Sequence, residues 1–447
     1  MSKSIKHKSS SEQVVDIFSL DNKIRAMLIF ESALAQAEAN SGVIPKEAAA
    51  IISQCCEESI FDAKDLEERG TRAGTIVIPL VKDLISHVQE KSPEASHFVH
   101  FGSTSQDVLD TALVLKLKEA ISYINLELER TENAFSKRAR EHSGTLLLGR
   151  TLLQPGPPIS FGLKAAGWTA AVRRGRERLN RAAEKALILQ FGGAVGTLST
   201  LQSNGLKVGQ SLSAQLELPL PDAPWHTHRD RLVEFASAVA ILVGTLGKIA
   251  RDISLHMQLE VSELSEPIEE GRGGSSAMPH KRNPVGCMIV LSAANRVPGL
   301  VSSLLSGMIQ EHERSLGNWL AEGSTYPELM KETAKATSAM LEVSEGLQVN
   351  AKRMRDNLDN TQEMVFSEAL AAALLPSLGR KGAQEIVTQL VEEAITRNKP
   401  LSLVASSNAV VTDAINIKDL EHVFDPTQSL GSTSQWIERL LTGEAQD

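Results

Sequence analysis

The sequence predicts an all-α protein built around a long central helix bundle, and three observations carry that prediction. Alanine and leucine are abundant while aromatics make up only 4% of the 447 residues, a composition suited to helices of straight-chain side chains. Several segments run about thirty residues with apolar positions at helical spacing and few breakers. No segment shows a convincing strand alternation bounded by hairpin turns.

The elements follow in chain order. Residues 111–142 contain neither Gly nor Pro and read as one helix. Residues 160–190 and 230–264 read as two more, tolerating internal glycines. Residues 285–313 read as a fourth, with Pro298 expected to kink it. At ~1.5 Å per residue such helices are about 45 Å long and are expected to bundle side by side. Breakers suggest three helical domains: 1–105, a central long-helix bundle over 106–355, and 356–447. The string Gly-Ser-Thr-Ser-Gln occurs at 102–106 and again at 431–435, but the flanks share nothing and no repeat is inferred.

Composition narrows the functional classes. A formal net charge of −9 argues against a general nucleic-acid binder, which needs a basic face. Local cationic patches still suffice for anionic small molecules. Cys55 and Cys56 are adjacent and lack zinc spacing, and with Cys287 they make an odd count that fits no full disulfide framework. A reducing cytoplasm is therefore expected. Residues 1–11 are polar and basic with no apolar core after them, so no secretory signal is read there. The longest apolar stretch, 235–247, falls short of the ~20 residues of a membrane span, so no membrane partner is expected.

The most informative stretch is Gly273-Gly274-Ser275-Ser276-Ala277-Met278-Pro279-His280-Lys281-Arg282-Asn283-Pro284. Gly271, Gly273 and Gly274 loosen the backbone before two prolines stiffen it. Composition alone fits a surface loop joining helices, and a phosphate-cradling loop lacks its Gly-Lys-Ser/Thr ending. The full string resembles the signature loop of the fumarase/aspartase superfamily. That loop reads Gly-Ser-Ser, any residue, Met-Pro, any residue, Lys, any residue, Asn-Pro, and every fixed position matches. The resemblance implies an all-α, fumarase/aspartase-like fold and gives the loop its roles. Ser275 becomes the catalytic base, or the proton donor in the addition direction. Lys281 joins it in catalysis and binds the substrate carboxylate with Asn283, and Ser276 is a further substrate contact. Such fixed donors suit charge that concentrates on a carboxylate only during reaction.

Two further segments match in the expected order. His100-Phe101-Gly102-Ser103-Thr104-Ser105-Gln106-Asp107 reads by itself as a helix N-terminus suited to anions. It resembles the superfamily's first active-site region, which carries substrate binding onto His100, Thr104, Ser105 and Gln106. Gly149-Arg150-Thr151-Leu152-Leu153-Gln154 resembles the second region and adds Thr151 and Gln154. Arg314, in His312-Glu313-Arg314, is either a helix-end charge or a clamp for a substrate carboxylate.

Departures select the branch. Fumarase-like, argininosuccinate-type and adenylosuccinate-type relatives usually carry His after the Thr of the second region, where this chain has Leu152. They place its partner Glu seven residues after the loop Lys, where this chain has Met288. Losing both members of an acid–base pair implies a chemistry that does not use it. Gly323, and Arg72-Ala73-Gly74, stand where adenylosuccinate lyases bind nucleotide.

The chain is most similar to the bacterial 3-carboxy-cis,cis-muconate cycloisomerase branch. Pro224-Trp225-His226-Thr227 before Arg229-Asp230-Arg231, and Trp319 after the His-Glu-Arg, carry that likeness. Pro155-Gly156-Pro157, Leu320 and the stretch 323–326 depart from it. The implied reaction is intramolecular: a carboxylate attacks a conjugated double bond and closes a five-membered lactone, without metal or cofactor. The implied assembly is a homotetramer whose active sites draw on several chains. An elimination lyase for another small polycarboxylate or a sulfonated muconate is the alternative, and a non-catalytic structural homologue a more distant one. His226 and His228 lack partners at metal spacing and are read as pocket or structural residues. Trp168 and Trp225 are read as core anchors.

Overall fold

The structure is a computed structural model describing residues 9–58, 61–267, 272–274, 277–278 and 280–443. It is predominantly helical. The longest elements include Ser105–Glu141, Phe161–Ala186, Asp230–His256, Val285–Ser306, Asn318–Gly346 and Ser367–Arg397. The first four coincide with the helices read from periodicity. Two of those stop earlier than expected. After His256 the chain turns back, with Ser262 at φ 48° and the Glu263 N–H donating to the His256 carbonyl. The helix through Pro298 ends at Ser306, before Gly307. Asn318–Gly346 and Ser367–Arg397 escape the pattern because each holds an internal proline, Pro327 and Pro376.

The chain divides into two compact units: residues 1–128, 175–247 and 289–339, and residues 129–174, 248–288 and 340–447. In the first, Leu20–Asn40 packs on Lys46–Glu57 and Gly205–Leu216. Ser19 caps it by accepting from the Asn22 N–H, and Met27, Phe30 and Leu34 point into the core. In the second, Leu370, Leu374, Leu390 and Leu401 anchor a C-terminal cluster.

A hairpin corrects the expectation of no strands. Leu146–Thr151 pairs antiparallel with Gln154–Ser160, closing at Thr151↔Gln154. Its two-residue turn is Leu152-Leu153, at φ 52° and 66°. Two-residue hairpin turns usually use Asn-Gly or Asp-Gly to reach positive φ, so a Leu-Leu turn gives no sequence signal. Pro155, Pro157 and Pro158 also argue against a strand. The register shifts between Leu148 and Gly149, and a Cβ on Gly149 would lie 2.2 Å from the Pro157 carbonyl oxygen. Only glycine fits that irregularity.

Two helices are longer and more apolar than the 235–247 stretch suggests. Asp230–His256 and Val285–Ser306 are both long and apolar enough, by length and composition, to cross a membrane. The 235–247 stretch undercounted them because their apolar character continues through small and weakly polar residues. Asp230–His256 is a core helix, with 61% of its most apolar window buried. Val285–Ser306 has only 28% of its window buried, and Met288, Ile289 and Leu305 face outward.

Candidate active site

In the first unit, the residues before Ser105–Glu141 are held by Asp107, which is fully buried in the first turn. Its carboxylate accepts from the N–H groups of Thr104 (3.2 Å), Gly192 (3.0 Å) and Gly193 (2.9 Å). His226 Nε2 lies 2.7 Å from Asp107 Oδ1, which gives that histidine a structural partner. Thr104 and Ser105, both half-buried, are thereby fixed at the helix start. Arg314 reaches the same place: Nη1 donates to Thr104 Oγ1 (3.3 Å) and Nη2 to the Ala194 carbonyl (2.8 Å). It is not a helix-end charge, since the nearest helices end at Ser306 and begin at Asn318.

His100 stands at φ 58°, with Nδ1 2.6 Å from Oε1 of the buried Glu31. Burial disfavours the imidazolium, but Glu31 outweighs it and holds His100 above its ordinary value. Glu38 is buried nearby, and burial together with Glu31 pushes it up to about 9, so it is a neutral acid at pH 7. Gln106 is fully buried and donates to Asp110 Oδ2 (3.1 Å) and the His226 carbonyl (2.8 Å). It sits one layer behind Thr104 and Ser105.

A second buried network supports this surface. The Arg229 guanidinium, with no solvent exposure, makes two bonds to Asp110 (2.8 and 3.0 Å) and reaches Glu322 at 2.6 Å. It also stacks 4.8 Å from the Trp225 ring, and Trp319 Nε1 donates to Asp110 Oδ1 at 3.1 Å. Burial alone would lower the Arg229 value, but Asp110 and Glu322 more than offset it and keep the cation charged.

In the second unit, Thr151, Leu152, Leu153 and Gln154 form the exposed hairpin tip, with Leu152 97% exposed. The strand behind it is anchored by Arg150, whose fork grips Glu263 at 2.9 and 2.8 Å. Glu263 is fully buried and also binds His256 Nδ1 (2.5 Å) and Asn357 Nδ2 (2.8 Å). Burial pushes this carboxyl up, but the donors outweigh it and hold Glu263 down to about 2.

The signature loop lies in the same unit. Ser275 and Ser276, with Gly271 and Pro279, fall outside the described residues. The described parts form a closed base. The Asn283 N–H donates to the Gly273 carbonyl (2.8 Å), and the Lys281 N–H to the Met278 carbonyl (3.1 Å). Gly273 is at φ +66°, and a Cβ there would lie 2.7 Å from the Asn283 carbonyl oxygen. Beyond the loop, Glu266 accepts from the Gly286 and Cys287 N–H groups (2.9 and 2.7 Å), capping Val285–Ser306. Lys281 is exposed and Asn283 half-buried. Among the described residues, no group of three or more His, Cys, Asp or Glu is arranged to hold a metal ion.

Residues 6–299 match the family model described as lyase. The chain belongs to the fumarase/aspartase superfamily. It is 45% identical to the 3-carboxy-cis,cis-muconate cycloisomerase of Bradyrhizobium diazoefficiens, over 95% of this chain and 94% of that one. It is 44% identical to the enzyme of the same name from Pseudomonas aeruginosa, over 95% and 93%. The crystal structure of 3-carboxy-cis,cis-muconate lactonizing enzyme from Pseudomonas putida superposes with a TM-score of 0.91 at 42% identity, covering 96% of each chain.

Within this superfamily member, the first unit brings together His100, Thr104, Ser105, Gln106 and Arg314, and puts Arg314 on Thr104. The second carries Thr151, Gln154, Lys281 and Asn283. Sequence reasoning did not single out Asp107, Asp110, Glu31 or Glu263, which position these groups. Asp107 and Asp110 are one helical turn apart at a helix start, a signal that could have marked them. Glu31 and Glu263 meet partners 69 and 113 residues away and gave no local signal.

Proposed function

We propose that the chain converts 3-carboxy-cis,cis-muconate to a carboxymuconolactone by intramolecular carboxylate addition across a double bond. The observation that carries this reading is the identity of 45% and 44% to enzymes of that name over nearly the whole length of both chains. In this reading the substrate carries nucleophile and electrophile in one molecule, so the enzyme supplies positioning and charge stabilisation. Thr104, Ser105 and Arg314 bind carboxylate oxygens at the helix start, and His100, whose protonated form Glu31 favours, joins them. Thr151 and Gln154 contribute from the hairpin tip. Lys281 and Asn283 hold the carboxylate on which charge accumulates, and Ser275 delivers the proton alpha to it. Gln106 and Ser276 complete the substrate-binding set.

Leu152 and Met288 support lactonisation over elimination. A carboxylate nucleophile needs no general base, and a carboxylate leaving in reverse needs no general acid. The reading includes a homotetramer, supported by the outward apolar face of Val285–Ser306, and a cytoplasmic location, supported by the free thiols of Cys55, Cys56 and Cys287. The test is to incubate the protein with 3-carboxy-cis,cis-muconate, follow the diene absorbance and weigh the product. Loss of absorbance with an isomer of unchanged mass is expected; an unaltered spectrum rejects the reading.

A further inference from the structure

The neck of the signature loop rests on the last turns of Asn318–Gly346, within the second unit. Three positions on that helix make the contact. A Cβ on Gly346 would lie 2.4 Å from Pro267 Cβ, so a glycine there lets the incoming segment pass. Val343 packs on the outgoing segment, 2.4 Å from where a Cβ on Gly286 would stand. Glu342 forms an ion pair with Arg272.

Arg272 spans this neck. Its side chain is only 16% exposed, and Nη2 lies 3.6 Å from Glu266 Oε2, the carboxylate that caps Val285–Ser306. The same nitrogen comes within 2.9 Å of the Cβ position of Gly286. The guanidinium therefore sits between Glu342 on one side and the capped helix start on the other.

The next residue along is Gly273, whose carbonyl accepts from the Asn283 N–H at 2.8 Å. Gly273 and Gly274 impose little direction of their own on that carbonyl, so the crossing needs an anchor beside it. Glu342 is 59% exposed, and a pair with so exposed a partner adds little to overall stability. Its consequence is local. We propose that Arg272 is a positioning residue: held by Glu342 and Glu266, it fixes the Gly273–Asn283 crossing and so places Asn283 and Lys281. What those two residues bind rests on the catalytic reading above.

The experiment compares the parent with Arg272→Met and Glu342→Gln by hydrogen exchange and by initial rates with 3-carboxy-cis,cis-muconate. In both variants the Asn283 amide should exchange about tenfold faster or more, with the melting temperature and the protection of Asn318–Gly346 unchanged. The same variants should lose about tenfold in kcat, with KM moving less. Arg272→Lys keeps the charge without the fork that faces both carboxylates, and should recover only part of the rate. Unchanged Asn283 exchange in Arg272→Met overturns the proposal, whatever the parent's activity. A loosened Asn283 amide with normal kcat in an active parent overturns it too. A raised KM in Arg272→Met beside normal kinetics in Glu342→Gln would overturn it by making Arg272 a substrate contact. A parent inactive on the muconate rejects the catalytic reading alone, and the exchange result still decides whether Arg272 fixes the crossing.

Discussion

Ser275 and Glu263 show how differently single residues serve this protein. Ser275→Ala removes the hydroxyl assigned to proton delivery and leaves the rest of the signature string in place. Turnover should fall by at least about a hundredfold, the scale of general acid–base catalysis, with an unchanged melting temperature. Near-normal activity would remove Ser275 from the mechanism. Glu263 acts through stability. Its carboxyl is held down to about 2, against an ordinary value of 4.5. The stabilisation, on the order of 3 kcal/mol, is therefore fully present above pH ~4.5 and fades as pH falls toward 2. Glu263→Gln should melt well below the parent at pH 7, and the gap should narrow as the pH drops below about 4. A gap independent of pH would contradict the assignment. The two residues also differ in legibility. Ser275, Lys281 and Asn283 sit in a contiguous string whose order of residue types carries the information. Glu263 depends on Arg150, 113 positions away, and no local pattern announces such a partner.

At the scale of elements, the helices were readable because apolar residues at i, i+3 and i+4 survive in the sequence whatever the tertiary context. The hairpin was not. Its turn residues are Leu152 and Leu153, and its returning strand has three prolines, so every local preference points elsewhere. Tertiary anchoring through Arg150 and Glu263 overrides those preferences. Non-glycine residues held at positive φ cost about 1–3 kcal/mol each, and such strain gathers at functional sites. Replacing Leu152-Leu153 by Asn-Gly should raise stability by about 1–2 kcal/mol and lower activity, because the exposed apolar tip stands between Thr151 and Gln154. Differential scanning calorimetry paired with a rate assay checks both halves. A variant that gains stability with full activity would show that the tip has no part in the reaction.

For the whole molecule, the outward face of Val285–Ser306 is the feature that one chain leaves unfinished. Met288, Ile289 and Leu305 are exposed on a helix apolar enough to pass for a membrane span. Burying such a face between copies is the expected solution, so multi-angle light scattering should return four times the chain mass at working concentration. A stable monomer would contradict it. The Thr104 and Lys281 surfaces belong to different compact units of one chain.

In the proposed function, Leu152 and Met288 standing in place of a His–Glu pair mark a lactonising enzyme. The most direct measurement presents 3-carboxy-cis,cis-muconate, fumarate, argininosuccinate and adenylosuccinate separately to the same enzyme concentration and compares initial rates. Rapid conversion of the muconate to a lactone is expected, with no appreciable turnover of the other three. Robust turnover of any of those three, with no lactone formed from the muconate, would contradict it.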